Sequence, residues 1–130
     1  MLRAQIDAPT YAATYYDPRG AQDLYFPLPE VPYLKLAAVY DEHAHKLTLF
    51  ALNRSLTDEM PLRVTADGFS NLDIDQGLQL RDSDLKAANT RTQPDRVKPS
   101  ALARVCARGP DLHAMLQPAS WNVIRVSVRQ

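Results

Sequence analysis

Residues 47–55, LTLFALNRS, constrain the fold more than any other stretch, being the most strand-like run in the chain and flanked on both sides by turn-forming residues. At the two-residue period of a strand, Leu47, Leu49 and Ala51 point one way while Thr48, Phe50 and Leu52 point the other, so both faces are largely apolar. A strand of that kind belongs in the middle of a sheet covered on both sides, because a half-exposed strand shows a polar residue at every second position. Residues 34–40, LKLAAVY, are a second such run, and the polar connector DEHAHK at 41–46 has hairpin length. An antiparallel pair is therefore expected at the centre of the fold.

A chain of 130 residues fits one domain of ordinary size, spanning 1–130. Fifteen basic residues balance fifteen acidic ones, leaving no electrostatic footprint for nucleic acid or an anionic membrane surface. The apolar runs are of strand length, far short of the roughly 20 residues a membrane-spanning helix needs. Residues 1–20 carry no continuous apolar core of the signal-peptide kind, so a cytoplasmic protein is expected. A single cysteine, Cys106, excludes an internal disulfide, and its apolar surroundings predict a small buried thiol.

In chain order, residues 2–7 alternate weakly, as an edge strand would, before Pro9 removes a ladder donor. Asp17-Pro18-Arg19-Gly20 has the residues of a type I turn. Tyrosines and prolines then crowd the chain up to Tyr33 without a sustained period, so residues 1–33 read as an edge strand plus an irregular covering segment. The main sandwich is expected over 34–130. Leu62, Val64 and Ala66 alternate with polar residues, and Asp67-Gly68 closes that strand. Leu72, Ile74, Leu78 and Leu80 predict a long strand interrupted or bulged near Gly77. Residues 82–100 run without period through two prolines, as a crossover loop that covers or contacts something. Three short strands follow at 101–107, 112–116 and 121–128, joined at Gly109-Pro110 and at Gln117-Pro118-Ala119. No stretch of helical length shows helical periodicity. The expected fold is all-β: a two-sheet antiparallel sandwich of Greek-key or jelly-roll type with about eight strands.

Chemistry is sparse. Asp73 and Asp75 share one side of a strand, as a glycosidase carboxylate pair must, but nothing nearby would desolvate one and raise its pKa. Asp82 and Asp84 read the same way. His43 and His45, with Asp41 or Glu42, lack a further histidine or cysteine at a metal-ligand spacing, so no metal site and no cofactor is expected. His113 alternates with apolar neighbours and points to solvent or an interface. There is no Gly-x-Ser-x-Gly elbow and no phosphate-cradling glycine loop. Asn53-Arg54-Ser55, although a glycosylation sequon, reads as a strand end. Tyr11, Tyr15, Tyr16, Tyr25, Phe26, Tyr33 and Trp121 could stack on sugars, but their placement among prolines fits sealing the ends of a sandwich or an interface.

Taken in sequence, APTY at 8–11, VPYL at 31–34, LFALNRS at 49–55, LKAANT at 85–90, PDRV at 94–97 and SWNVIR at 120–125 resemble the C-terminal domain of α-L-arabinofuranosidases of glycoside hydrolase family 51. In that family a catalytic (β/α)8 barrel carries two catalytic glutamates and precedes a jelly-roll sandwich. The whole enzyme removes terminal α-L-arabinofuranosyl groups from arabinan and arabinoxylan with retention. The only glutamates here, Glu30, Glu42 and Glu59, match no catalytic motif. The resemblance therefore implies a non-catalytic accessory domain whose partner is the barrel, and whose irregular segments lie against the barrel or neighbouring subunits. It also implies an open sheet edge, and with it self-association through that edge or the barrel-facing surface. Asn53, Arg54, Asn89, Asp95, Arg96, Trp121 and Asn122 are expected as scaffold or contact positions, with a carbohydrate-binding module for arabinose-containing polysaccharides as the alternative.

Overall fold

The computed structural model describes residues 9–17 and 24–129 and contains ten strands and no helix among them. The strands are β1 (Thr10–Asp17), β2 (Leu24–Pro32), β3 (Leu34–Asp41), β4 (Lys46–Asn53), β5 (Met60–Thr65), β6 (Asn71–Leu80), β7 (Ser100–Ala101), β8 (Val105–Arg108), β9 (Asp111–Leu116) and β10 (Ser120–Arg129). Eight of them, β3 to β10, make an antiparallel sandwich of a five-stranded sheet, ordered β3-β4-β10-β6-β7, and a three-stranded sheet, ordered β5-β9-β8. The expected central pair is there, with Leu36 opposite Ala51 and Ala38 opposite Leu49. Its turn is held by the Asp41 carboxylate, which accepts from the His43 and Ala44 amides at 3.0 and 3.1 Å.

The core forms where the two sheets face each other. Leu47, Leu49 and Ala51 of β4, with Ile124, Val126 and Val128 of β10, meet Leu62 and Val64 of β5 and Leu112, Ala114 and Leu116 of β9. Fully burying each such aliphatic side chain contributes roughly 1.5–3 kcal/mol. Tyr40 closes the β3–β4 turn end by meeting Phe69 edge-on, with ring centroids 5.3 Å apart.

The sandwich differs from the sequence reading in four places. First, the sheet built on 47–55 is covered on one face only by its own chain. Leu47, Leu49, Ala51 and Asn53 are buried, but Thr48, Phe50 and Leu52 are only half-buried on the outer face. Second, within the segment up to Tyr33 that was expected to be irregular, Thr10–Asp17 and Leu24–Pro32 form a separate antiparallel ribbon, with Thr10 opposite Pro32 and Ala13 opposite Leu28. In a two-stranded ribbon every strand is an edge, so prolines fit wherever the missing N–H would have faced outward.

Third, 101–107 is not one strand. Ser100–Ala101 pairs with β6 and Val105–Arg108 with β9, so the chain changes sheets between them. Buried Leu102 marks the corner, its amide donating to the Gly77 carbonyl at 3.0 Å. A Cβ at Gly77 would sit 3.2 Å from Val105 Cγ1 and 3.3 Å from Leu102 Cβ, which is why a strand interior holds glycine there. Fourth, the irregularity in β6 falls at Asp75, between the pairs Val126–Ile74 and Arg125–Gln76. One extra residue reverses the facing of all that follows, so Leu72 and Ile74 face the core while Leu78 and Leu80 face outward. The weak strand at 2–7 and residues 18–20 of the expected turn lie outside the described residues.

Candidate functional site

Among the seven residues singled out by sequence, the structure brings Asn53 and Asn122 into one buried seam. Asn53 ends β4 and is fully buried; its Nδ2 donates to the carbonyls of Asp58 (3.1 Å), Leu116 (3.1 Å) and Gln117 (3.0 Å), and its Oδ1 accepts from the Ser55 amide at 2.9 Å. Ser120, opposite Asn53 in the sheet, donates from Oγ to the same Gln117 carbonyl and accepts from Asn122 Nδ2 at 2.9 Å. The seam ties the β4–β5 loop to the β9–β10 turn and so holds the two sheets together at one end. Asn122 Oδ1 is buried without a hydrogen-bond partner, as is Oε1 of Gln79, its neighbour across β6. The Nδ2 groups of both asparagines are thus spent on backbone carbonyls, Asn53 on three and Asn122 on that of Ala51.

Asn89 and Arg96 organise the long loop between β6 and β7. Asn89 donates to the Val97 carbonyl at 2.9 Å and accepts from the Val97 amide at 2.7 Å. The Arg96 guanidinium lies 3.6 Å from Asp82 and 3.4 Å from Asp84. The loop thereby keeps a defined shape while leaving Leu85 59% exposed, and Asp95 is exposed as well. Arg54, half-buried, donates to the Pro32 carbonyl at 3.4 Å where the ribbon joins the sandwich. There Tyr11 and Tyr33 stand 4.7 Å apart over a recess of about 410 Å³ that also borders Leu56.

Trp121 is different in kind. It lies 46% exposed on the outer face of the five-stranded sheet, its ring centroid 6.5 Å from that of Phe50. Strand register lines up two apolar rows around it. One runs Leu52, Trp121, Leu80, and the next Ala37, Phe50, Val123, Leu78, Ala101. Two residues further along the strands, Thr48, Arg125 and Gln76 take over, followed by Lys46, Ser127 and Asp73, with the bulged Asp75 reaching Ser127. The face is thus apolar at the Asn53 end and polar at the other. Sequence reading missed it because only the bulge at Asp75 puts Leu78 and Leu80 beside Trp121.

The polar half holds the two candidate carboxylates. Asp75 accepts from Lys46 Nζ at 2.7 Å and from Ser127 Oγ, and the lysine first, the hydroxyl second, hold its carboxyl below the ordinary carboxylate range. Asp73 meets Arg129 at 3.2 Å. A general acid requires the opposite, a carboxyl raised by desolvation. His43 and His45 are exposed in the β3–β4 turn, and among the described residues no three His, Cys, Asp or Glu side chains come together as a metal cluster. Cys106, expected to be buried, is exposed, because β8 is an edge strand that turns it outward opposite His113. That outer face of the three-stranded sheet is a shallow groove of about 430 Å³ and carries Arg63, Arg104, Cys106 and His113.

Comparison with known proteins points one way. The sequence model of the α-L-arabinofuranosidase C-terminal domain matches residues 1–120. An intracellular exo-α-(1→5)-L-arabinofuranosidase of Streptomyces lividans is 34% identical over 125 residues, 96% of this chain and 17% of the relative. One from Bacillus subtilis is 36% identical over 98 residues, 75% of this chain and 19% of the relative. The fold is that of an α-L-arabinofuranosidase of Thermotoga maritima solved with arabinose, at a TM-score of 0.72 and 19% identity over 93% of this chain and 24% of that one. The chain thus spans about a fifth of the proteins it matches.

Proposed function

Since the chain belongs to the α-L-arabinofuranosidase C-terminal domain family, we propose that it is one non-catalytic accessory domain of a family 51 enzyme, packing on a catalytic (β/α)8 barrel. The observation that carries this reading is a scaffold of buried amides and neutralised surface carboxylates joined to a sheet whose second face is apolar. The corresponding whole enzyme would hydrolyse terminal α-L-arabinofuranosyl groups of arabinan and arabinoxylan. A cytoplasmic location is supported by the relatives named intracellular. A chromogenic arabinofuranoside offered to the purified chain should give no turnover above a matched blank; turnover would overturn the non-catalytic reading.

One observation favours the alternative, sugar binding: a half-exposed indole on a sandwich face. Around it, however, stand Leu52, Leu80 and Val123, and its ring is inclined 37° to that of Phe50, so the two do not make one flat platform. Sugar sites place hydrogen-bonding groups beside the stacking ring. Calorimetry with arabino-oligosaccharides should show no heat that Trp121→Ala abolishes.

A further inference from the structure

We propose that the apolar half of the outer five-stranded face, centred on Trp121, is the surface on which the catalytic part of the same polypeptide docks. This rests on the accessory-domain reading and goes beyond it by choosing one face among several. The outer face of the three-stranded sheet is the rival surface, a groove with Pro61 and Met115 in its lining, but Arg63, His113 and an Arg104–Glu59 ion pair interrupt its apolar area, and Arg108 and Asp111 face each other beside it. On the five-stranded sheet one apolar row runs unbroken across all five strands, from Ala37 on β3 to Ala101 on β7, and the Trp121 row beside it covers the three inner strands and ends at Lys35 on β3.

The end of the sandwich at which this face turns apolar also matters. Ser120 lies opposite Asn53 and Trp121 opposite Leu80, so the loops at 54–59, 81–99 and 117–119 all leave from that end. Two of them display Leu56 and Leu85, at 65% and 59% exposure. The loop around Leu85 is fixed by the Asn89 and Arg96 contacts and so presents its leucine already ordered, which lowers the entropic cost of docking.

Size selects the occupant. Eight apolar positions, on strands about 4.8 Å apart and in rows about 7 Å apart, give roughly 270 Å². A stable dimer of separate chains needs roughly 800 Å² from each partner. A neighbour tethered in one polypeptide needs far less, because the tether supplies an effective concentration in the mM range, and inter-domain contacts begin near 600 Å² in total. The relatives carry such a neighbour in that they extend well beyond the segment matched here. The polar half, where Lys46 and Arg129 already neutralise Asp75 and Asp73, stays in solvent.

The test titrates this chain, isotopically labelled and followed by NMR, with the Streptomyces lividans relative lacking the segment it shares with this chain. Association with a Kd of about 1 mM or tighter is expected, since weaker pairing would not hold two tethered domains together. Trp121→Lys should weaken it roughly 30-fold, as for a buried aromatic anchor. Ala37→Glu, at an exposed position that leaves the core untouched, should also weaken it, whereas Arg63→Glu on the opposite sheet should not. Loss with Arg63→Glu but not with the other two overturns this face and leaves the accessory role standing. No association of the unmodified chain up to 1 mM overturns both. A dimer of the chain alone that Trp121→Lys dissociates makes a second copy the occupant and refutes the proposal.

Discussion

Asn53→Ala is the most informative single change to the scaffold. Four hydrogen bonds converge on that amide, and two of them, to the Leu116 carbonyl and from the Ser55 amide, are fully buried. Stranding a buried polar group costs about 1–3 kcal/mol. The Asp58 and Gln117 carbonyls are part-buried and recover water, so they add little. The void left by the amide adds about 1 kcal/mol. The sum is about 3–7 kcal/mol, a large share of a total stability of about 5–15 kcal/mol. In urea, with a slope of about 1.5 kcal/mol/M, the unfolding midpoint should fall by about 2–5 M at unchanged slope. Asn53→Asp sharpens the test, since it keeps an acceptor for Ser55 but aims a carboxylate oxygen at three carbonyls. Its folded-state pKa is then raised, so the stability of the protonated form is present below the ordinary aspartate value and lost as pH rises through the folded pKa. That variant should gain on the unmodified chain between pH 7 and pH 4. A loss below about 1 kcal/mol for Asn53→Ala would show that the seam does not hold the sheets together.

Further outcomes follow from the same geometry. Ile124→Ala, at a fully buried site, should cost about 3–4 kcal/mol, whereas its half-buried neighbour Val123→Ala should cost about 1 kcal/mol, both by urea unfolding. Ala119 holds a φ of 48°, in the left-handed region, so Ala119→Gly should stabilise by about 0.5–1 kcal/mol, and an unchanged or lowered midpoint would contradict the strain. Asp75, with its folded-state pKa depressed by Lys46 and Ser127, contributes stability above its unfolded value and loses it as pH falls through the folded one. Its carboxyl should titrate by NMR below the usual aspartate range and move upward in Lys46→Met. At low concentration the chain should sediment as a monomer, with weak self-association at high concentration through β3, which has no strand partner on its outer side among the described residues.

The strands of the sandwich were legible because their residues obey a two-residue period that burial enforces: Leu62 and Val64 sit where alternation placed them, and Ile124, Val126 and Val128 turn one face of the expected strand at 121–128 into the core. The apolar second face of 47–55 was legible too, but not that among the described residues it is left half-exposed. Alternation cannot report a residue inserted without a partner, and so Leu78 and Leu80 were assigned to the wrong side of β6. Nor can it report a corner: 101–107 reads as one strand although Leu102 turns the chain from one sheet to the other. The ribbon at 10–32 was hidden by its prolines, which forbid a central strand but not an edge. For the singled-out Asn53, Asn89 and Asn122, which groups the amides meet could not be read from sequence, because it is set by segments distant along the chain.

Trp121 is the only tryptophan in the chain, and it gives the most direct test of the proposal that a catalytic portion docks on this face. The chain would be produced with 5-fluorotryptophan and its fluorine resonance followed in light and heavy water. In the free chain the half-exposed ring should show a clear solvent-isotope shift. As the Streptomyces lividans catalytic portion is added to saturation, that shift should collapse as water is excluded from the indole. Saturation of binding with the isotope shift at Trp121 unchanged would place the interface elsewhere.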